Sequence, residues 1–150
     1  MKSLYVSISK QTMILLEDGQ VIKTYIISSA KNGIGFEEGS FKTPIGNFII
    51  GEKHGGDQPI NTIFVGRKPV GIWDGQSVTE EYMTSRILWL DGQDPENANT
   101  KSRYVYIHGT NEEGKLGTPA SHGCIRMNNT EVVELYDLVD VGTPMVISIN

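Results

Sequence analysis

The side chains best suited to covalent chemistry lie close together in the second half of the chain. This region holds the only cysteine, Cys124, and two of the three histidines, His108 and His122. Cys124 follows Gly123 and precedes Arg126 by two positions; nearby positive charge and close backbone N–H groups favour a thiolate. A single cysteine with a histidine elsewhere in the chain is a candidate nucleophile and general base. The alternative is a buried and unreactive thiol.

A Cys124 thiolate is expected to attack a peptide carbonyl, form a tetrahedral oxyanion and collapse to a thioester as the amine leaves. The oxyanion requires preorganised donors, and the backbone N–H groups of His122, Gly123 and Cys124 are the predicted suppliers. The imidazole of His108 can take the thiol proton near neutral pH and later protonate the leaving amine. A packed structural histidine is the alternative for His108.

Other polar residues near this region have two interpretations each. His122 could shape the oxyanion loop or contact substrate, or it could only hold the loop in place. Arg126 could lower the thiol pKa or bind a substrate carboxylate, and its alternative is a salt bridge to a neighbouring acid. Arg86, Trp89 and Tyr106 are candidate walls of a substrate site, although aromatic residues at strand spacing more often belong to a core.

The residues raise two further kinds of site, a zinc site and a phosphate-binding loop. His108, His122 and Cys124 could supply the three protein ligands of a catalytic zinc ion, but a metal-bound cysteine would not act as a nucleophile. The Gly33-x-Gly35 pair is weak as a phosphate loop, because acidic residues follow it and no convincing helix does. Nucleotide binding is therefore not expected.

The composition narrows the classes of function. With 150 residues and 38% hydrophobic content, the chain is expected to form one domain, residues 1–150, with a real core. A net charge of −5 and a pI near 5.1 argue against nucleic acid and give no reason to expect an anionic membrane surface. No apolar run approaches the roughly 20 residues that span a bilayer. One cysteine cannot form an internal disulfide, so it does not identify the compartment.

Two blocks of sequence resemble the L,D-transpeptidase catalytic domain family of bacterial cell-wall enzymes. The first block is His108-Gly109-Thr110 followed by Ser121-His-Gly-Cys-Ile-Arg-Met127, with Cys124 sixteen positions after His108. The second block, Thr43-Pro44-Ile45-Gly46-Asn47-Phe48, resembles the upstream Thr-Pro-x-Gly-x-aromatic motif of the family. The blocks stand in the family's order and span most of the chain.

The resemblance implies a role for each residue of the first block. Cys124 would be the nucleophile and His108 the general base, with the carbonyl of Gly109 orienting the imidazole in place of the usual carboxylate. The other residues expected to bind the oxyanion or the substrate are Ser121, His122, Gly123 and Arg126. Family precedent argues against zinc, so no metal and no cofactor are expected.

The resemblance also implies a substrate, the tetrapeptide stem of peptidoglycan or a muropeptide. The bond cleaved would join the L-centre of a diamino acid to a terminal D-alanine, and the thioester would pass to an amine of another stem or to water. Carbapenems, which acylate this family, are expected inhibitors. No nucleic-acid or membrane partner is expected.

The amino terminus bears on the outcome of the reaction. Residues 1–10 alternate polar and apolar side chains as a strand does, and they lack the apolar core of a signal peptide. If Met1 is the native start, a cytoplasmic location is expected; if an export signal was trimmed, the location is periplasmic or extracellular. Short members without a signal resemble L,D-carboxypeptidases of wall recycling, so water is the expected acceptor. The alternatives are an exported enzyme that forms 3-3 cross-links and a peptide-binding module without catalysis.

Many short strands must position these residues. Residues 4–8, 12–16 and 21–27 predict an antiparallel meander with a turn at Asp18-Gly19. The other predicted strands are residues 46–51, 63–65, 70–73, 87–90, 103–107 and 143–149. Residues 103–107 would deliver His108 at a strand end, where a rigid element meets a loop.

Two segments between these strands have different predictions. Residues 79–84 could form one helical turn, and residues 52–58 read as a polar loop in which His54 is a solvated histidine rather than a substrate contact.

One helix is expected after Cys124. Asn128 and Glu131 have capping-box spacing, with Thr130 as a rival cap. The apolar stripe comprises Val132, Leu135, Tyr136 and Val139, and Gly142 is a suitable stop. The pattern predicts a mainly β, β-rich α+β fold: a sandwich or barrel-like core with one helix in the carboxyl-terminal region. The L,D-transpeptidase resemblance implies the same fold.

Overall fold

Ten strands of one mixed sheet form most of the computed structural model, which describes residues 1–150. In chain order they are β1 (Lys2–Ser7), β2 (Thr12–Glu17), β3 (Gln20–Ser28), β4 (Gly46–His54), β5 (Thr62–Val65), β6 (Lys68–Ile72), β7 (Met83–Gly92), β8 (Tyr106–Thr110), β9 (Ile125–Met127) and β10 (Pro144–Ser148). One α-helix, α1 (Asn129–Leu138), and a 3₁₀ helix, Glu113–Lys115, are the helical elements. The predicted mainly β fold with one helix near the carboxyl end is confirmed.

Eight of the strands close into a barrel-like ring. Their order is β4, β10, β1, β2, β3, β9, β8 and β7, and β4 also pairs with β7. Closure leaves no free edge among these eight strands. The β5–β6 hairpin lies outside the ring and pairs with the first residues of β7.

A single apolar core fills the inside of the ring. Because side chains alternate across a strand, every second residue points inward along the regular stretches of the ring strands, between their bulges. Nineteen buried residues form this core, including Leu4 and Val6 of β1, Met13 of β2 and Val132 and Leu135 of α1. The helix therefore packs its apolar stripe against the inner face of the sheet.

The local predictions with regular patterns are confirmed. Strands β1, β2 and β3 form the antiparallel meander, and α1 begins after Asn128, whose side chain accepts a hydrogen bond from the Glu131 N–H. Thr130 is not the cap, because it lies inside the helix. Gly142 does not end the helix either, since the helix stops at Leu138. No helix in this structure has both the length and the apolar character needed to cross a membrane.

Three local predictions were wrong. No helical turn forms over residues 79–84; Met83 and Thr84 are in β7, where they pair with β5. His54 is not in a loop, because β4 continues to this residue and pairs it with Ile87. His108 lies in the middle of β8 rather than after a strand. In each case pairing with another strand extends the regular structure beyond the limits that the local sequence predicts.

Candidate active site

Strands β8 and β9 have two different faces. They run parallel, with Ile107 beside Ile125 and His108 beside Arg126. Ile107, Ile125 and Met127 belong to the inner core. Alternation therefore places His108 and Arg126 on the outer face of the sheet.

A cavity of about 390 Å³ opens on this outer face. It is lined by His108, His122, Cys124, Glu81 and Met83. The structure thus brings together three residues predicted from the sequence, together with two that sequence reasoning missed.

The Cys124 thiol sits directly before β9, half-buried beside β8. The N–H of Tyr106 donates to Sγ at 3.3 Å, and Sγ lies 3.6 Å from the carbonyl oxygen of Tyr104. Cys124 also packs against a small apolar cluster of the outer face, formed by Phe64, Ile87 and Tyr106. The sulfur is therefore fixed by the strand next to it.

Burial raises the pKa of the Cys124 thiol to about 11. The hydrogen bond from Tyr106 and the positive charges of Arg126 and Arg103 lower this pKa, while the carboxylate of Glu81 raises it, and burial outweighs them all. The thiolate expected from the sequence is therefore not the resting form. A neutral thiol needs a base at the moment of attack.

His108 is buried, with 2% of its surface exposed, and its ring is oriented by its neighbour. Nδ1 lies 2.6 Å from the carbonyl oxygen of Gly109, so Nδ1 carries the proton and donates it. Burial lowers the pKa of His108 below 6.5, against the opposing effect of the Gly109 hydrogen bond. At neutral pH the imidazole is neutral, and Nε2 is its basic nitrogen.

Gly109 is needed for close packing at this point. An added Cβ would lie 2.5 Å from the carbonyl oxygen of Thr84 and 2.6 Å from Oδ1 of Asn129. Asn129, the first residue of α1, also donates from Nδ2 to the carbonyl of Thr110 at 2.8 Å. The helix start thereby holds the strand that carries His108, a contact that the sequence did not predict.

The turn before Cys124 is fixed by Ser121. Its hydroxyl oxygen accepts the Gly123 N–H at 3.2 Å and donates to the Cys124 carbonyl at 2.6 Å. Gly123 has a φ of +124°, which favours glycine, and an added Cβ would lie 3.2 Å from the carbonyl oxygen of Lys42. The Gly123 N–H predicted as an oxyanion donor is thus already used. The N–H groups of His122 and Cys124 donate no hydrogen bond within the protein, so both remain available.

Arg126 is held in ion pairs, as its structural interpretation requires. Its Nε donates to Oε1 of Glu81 at 2.8 Å, and Nη2 lies 3.2 Å from Oε1 of Glu112. Nδ1 of His122 lies 3.5 Å from Oε2 of Glu81. The two carboxylates offset the charge of Arg126, which limits its effect on the thiol.

The candidate wall residues separate into two groups. Trp89 and Tyr106 lie on the outer face with their rings 5.6 Å apart at 85°, beside Cys124. Arg86 lies in the bulge of β7, where it donates to the Gln58 carbonyl and its guanidinium lies 5.5 Å from the Tyr136 ring. None of these three side chains is among the residues that line the cavity.

A metal site requires several ligands that converge. No group of three His, Cys, Asp or Glu side chains in the structure is arranged to hold an ion. His54 lies elsewhere, half-buried in β4 and 3.1 Å from Glu52.

The closed sheet and the cysteine–histidine cavity on its outer face define a β-rich protein with a candidate acyl-transfer site. The family model described as YkuD, the L,D-transpeptidase catalytic domain, matches residues 1–147. The chain belongs to this L,D-transpeptidase catalytic domain family.

Similar proteins cover the same region. "Putative L,D-transpeptidase YkuD" of Bacillus subtilis is 29% identical over 143 residues, which are 95% of this chain and 63% of that protein. The structure of an L,D-transpeptidase from Mycobacterium smegmatis has a TM-score of 0.64 at 21% identity and covers 98% of this chain and 58% of its own. The structure of LD transpeptidase LdtMt1 in complex with imipenem has a TM-score of 0.62 at 21% identity, and it covers 98% of this chain and 58% of its own. This chain therefore spans about three fifths of the length of these proteins, and the structures show the fold it shares.

Proposed function

We propose that this chain is a cysteine enzyme that acts on peptidoglycan tetrapeptide stems. It cleaves the bond between the diamino acid and the terminal D-alanine through a thioester on Cys124. The observation that carries the proposal is the shared cavity of Cys124 and His108, with the unpartnered N–H groups of His122 and Cys124 in the adjoining turn.

The first half of the reaction starts from a neutral pair. Nε2 of His108 takes the Sγ proton as Sγ bonds to the substrate carbonyl carbon, and the C=O electron pair moves onto the oxygen. The N–H groups of His122 and Cys124 stabilise this oxyanion. On collapse the C–N bond breaks, and the imidazolium of His108 gives its proton to the amine of the departing D-alanine.

For the second half we propose water as the acceptor. His108 takes a proton from water, the oxygen bonds to the thioester carbon, and the C–S bond breaks to release a shortened stem. The imidazolium of His108 then returns the proton to the Cys124 sulfur. The amine of a second stem is the alternative acceptor, giving a cross-link, and the names of the similar proteins as L,D-transpeptidases favour it. A cytoplasmic location remains part of the hydrolytic proposal, to be checked by fractionating cells that produce the full-length protein.

Acylation by imipenem tests the nucleophile, since a similar protein is described in complex with this carbapenem. Incubation with imipenem should add its mass to the intact protein, and Cys124→Ala should show no adduct. The thermal unfolding of that variant should stay close to that of the wild type, because it removes one sulfur atom. An adduct on Cys124→Ala would refute the assignment, and acylation that chelators abolish would instead favour a metal site.

A product assay tests the substrate and the acceptor. The protein is incubated with a soluble tetrapeptide stem, with and without an amine acceptor, and the products are identified by mass. Loss of D-alanine alone means hydrolysis, and a joined product means transfer. A protein that imipenem acylates but that leaves the stem unchanged would contradict the proposed substrate.

A further inference from the structure

Thr43 is the first residue of the second sequence block, and the proposed reaction gives this block no role. Its side chain is fully buried behind the turn that carries Cys124. The hydroxyl oxygen accepts the Ala30 N–H at 2.9 Å and lies 2.9 Å from the carbonyl oxygen of Gly123. Because the Ala30 N–H is already the donor in one bond, the hydroxyl proton is free to point at Gly123.

The Gly123 carbonyl and the Cys124 N–H belong to one peptide unit. This unit is planar and trans, so its C=O and its N–H point in opposite directions. Thr43 holds the carbonyl toward the interior of the protein, where its own side chain is buried. The Cys124 N–H consequently points away from the interior, and it has no partner within the protein.

Nothing else in the protein holds this peptide unit. The hydroxyl of Ser121 bonds the Gly123 N–H and the Cys124 carbonyl, which are parts of the preceding and the following units. The Gly123 carbonyl accepts a hydrogen bond from Thr43 alone. Glycine permits wide rotation, so without Thr43 the unit between Gly123 and Cys124 could turn.

We propose that Thr43 is a positioning residue for the oxyanion hole. Its hydroxyl fixes the peptide unit whose other end, the Cys124 N–H, donates to the oxyanion. The inference rests on the proposed function, because an oxyanion forms only if Cys124 attacks a carbonyl.

Two reactions of the Cys124 thiol distinguish a loss of oxyanion positioning from a general distortion of the site. Acylation by imipenem passes through an oxyanion, whereas alkylation by iodoacetamide displaces iodide at a saturated carbon and forms none. Thr43→Val removes the hydroxyl but keeps the shape of the side chain. It should slow acylation about 10- to 100-fold, less than the roughly 10²- to 10³-fold loss when a donor is removed outright. Its alkylation rate should stay close to that of the wild type.

Thr43→Ser and Thr100→Val are the matched controls. Thr43→Ser keeps the hydroxyl and should be acylated at nearly the wild-type rate. Thr100 is another buried threonine whose hydroxyl donates to a backbone carbonyl, that of Asn97 at 2.6 Å, outside the cavity. Thr100→Val should therefore lose some stability and acylate normally.

Each outcome decides the matter. A wild-type protein that imipenem does not acylate would overturn the proposed function and this inference with it. A wild type that is acylated, with Thr43→Val acylated as fast, would overturn the inference alone. Equal slowing of acylation and alkylation in Thr43→Val would also overturn the inference, since the substitution would then have distorted the site as a whole. If Thr43→Val does not fold, the comparison of Thr43→Ala with Thr43→Ser gives the same test.

Discussion

The inner and outer faces of β8 and β9 differ although they are built from adjacent residues. On the inner face, Ile107, Ile125 and Met127 join a core in which each side chain has many similar neighbours. On the outer face, His108 and Arg126 are equally buried, but each depends on particular partners: the Gly109 carbonyl for one and two carboxylates for the other. The inner face is stabilised by the burial of apolar surface, whereas the side chains of the outer face are held by a few hydrogen bonds and ion pairs.

Burial also acts differently on the two faces. Inside the ring it stabilises apolar side chains. On the outer face it raises the pKa of Cys124 and lowers the pKa of His108, so both groups are neutral at rest. The thiol and the imidazole therefore form no ion pair at rest, and in the proposed reaction the proton moves only when the substrate is attacked.

The largest effect on the outer face is expected for His108→Ala. Loss of the proposed general base should slow acylation by imipenem about 10²- to 10⁴-fold, because the neutral thiol would then have no base to take its proton. The rate is measured by following adduct formation in the intact protein. Unchanged acylation kinetics in a folded His108→Ala would show that another group is the base.

Arg126→Met tests whether the outer face is held by charge. It leaves Glu81 without the guanidinium that faces it, whereas Glu112 keeps its ion pair with Lys115. Breaking a buried pair by removing one partner costs about 3–5 kcal/mol of unfolding free energy. Urea unfolding measures the loss. Adding Glu81→Gln to the same variant should recover part of the stability, because one uncompensated charge is removed. An Arg126→Met variant as stable as the wild type would mean that the ion pairs do not stabilise this face.

Ile107→Val tests the inner face at the position next to His108. Removing one buried methylene should lower the unfolding free energy by about 0.5–1.5 kcal/mol. The acylation rate should stay at the wild-type value, since the side chain points away from the cavity. A fall in acylation larger than the fall in stability would show that the two faces are coupled.

The pH dependence of acylation gives the smallest expected change. A histidine with a pKa of 6.5 is half protonated at pH 6.5, and burial lowers the pKa of His108 below that value. More than half of the imidazole therefore stays neutral at pH 6.5, so acylation there should exceed half of its rate at pH 8. The rate should be lost only as the pH falls further, through the lowered pKa. A rate already halved above pH 6.5 would contradict a buried, neutral base.

The regular parts of the fold could be predicted from the sequence because their signals are local. Strands β1 to β3 alternate around the Asp18-Gly19 turn, and Asn128 stands three residues before Glu131 at the helix start. The predictions failed where local composition and pairing disagree. Residues 79–84 are polar and look helical, yet Met83 and Thr84 pair with a strand that lies about twenty residues earlier in the chain.

The sequence by itself determined which atoms are able to react, because the residue type fixes the functional group: a thiol for the cysteine and an imidazole for each histidine. Only the tertiary structure decided the protonation of Cys124 and His108, the pairing of Arg126 with Glu81 forty-five residues away, and which N–H groups remain free beside the thiol. These properties depend on burial and on partners distant in the chain, and the local sequence determines neither of them.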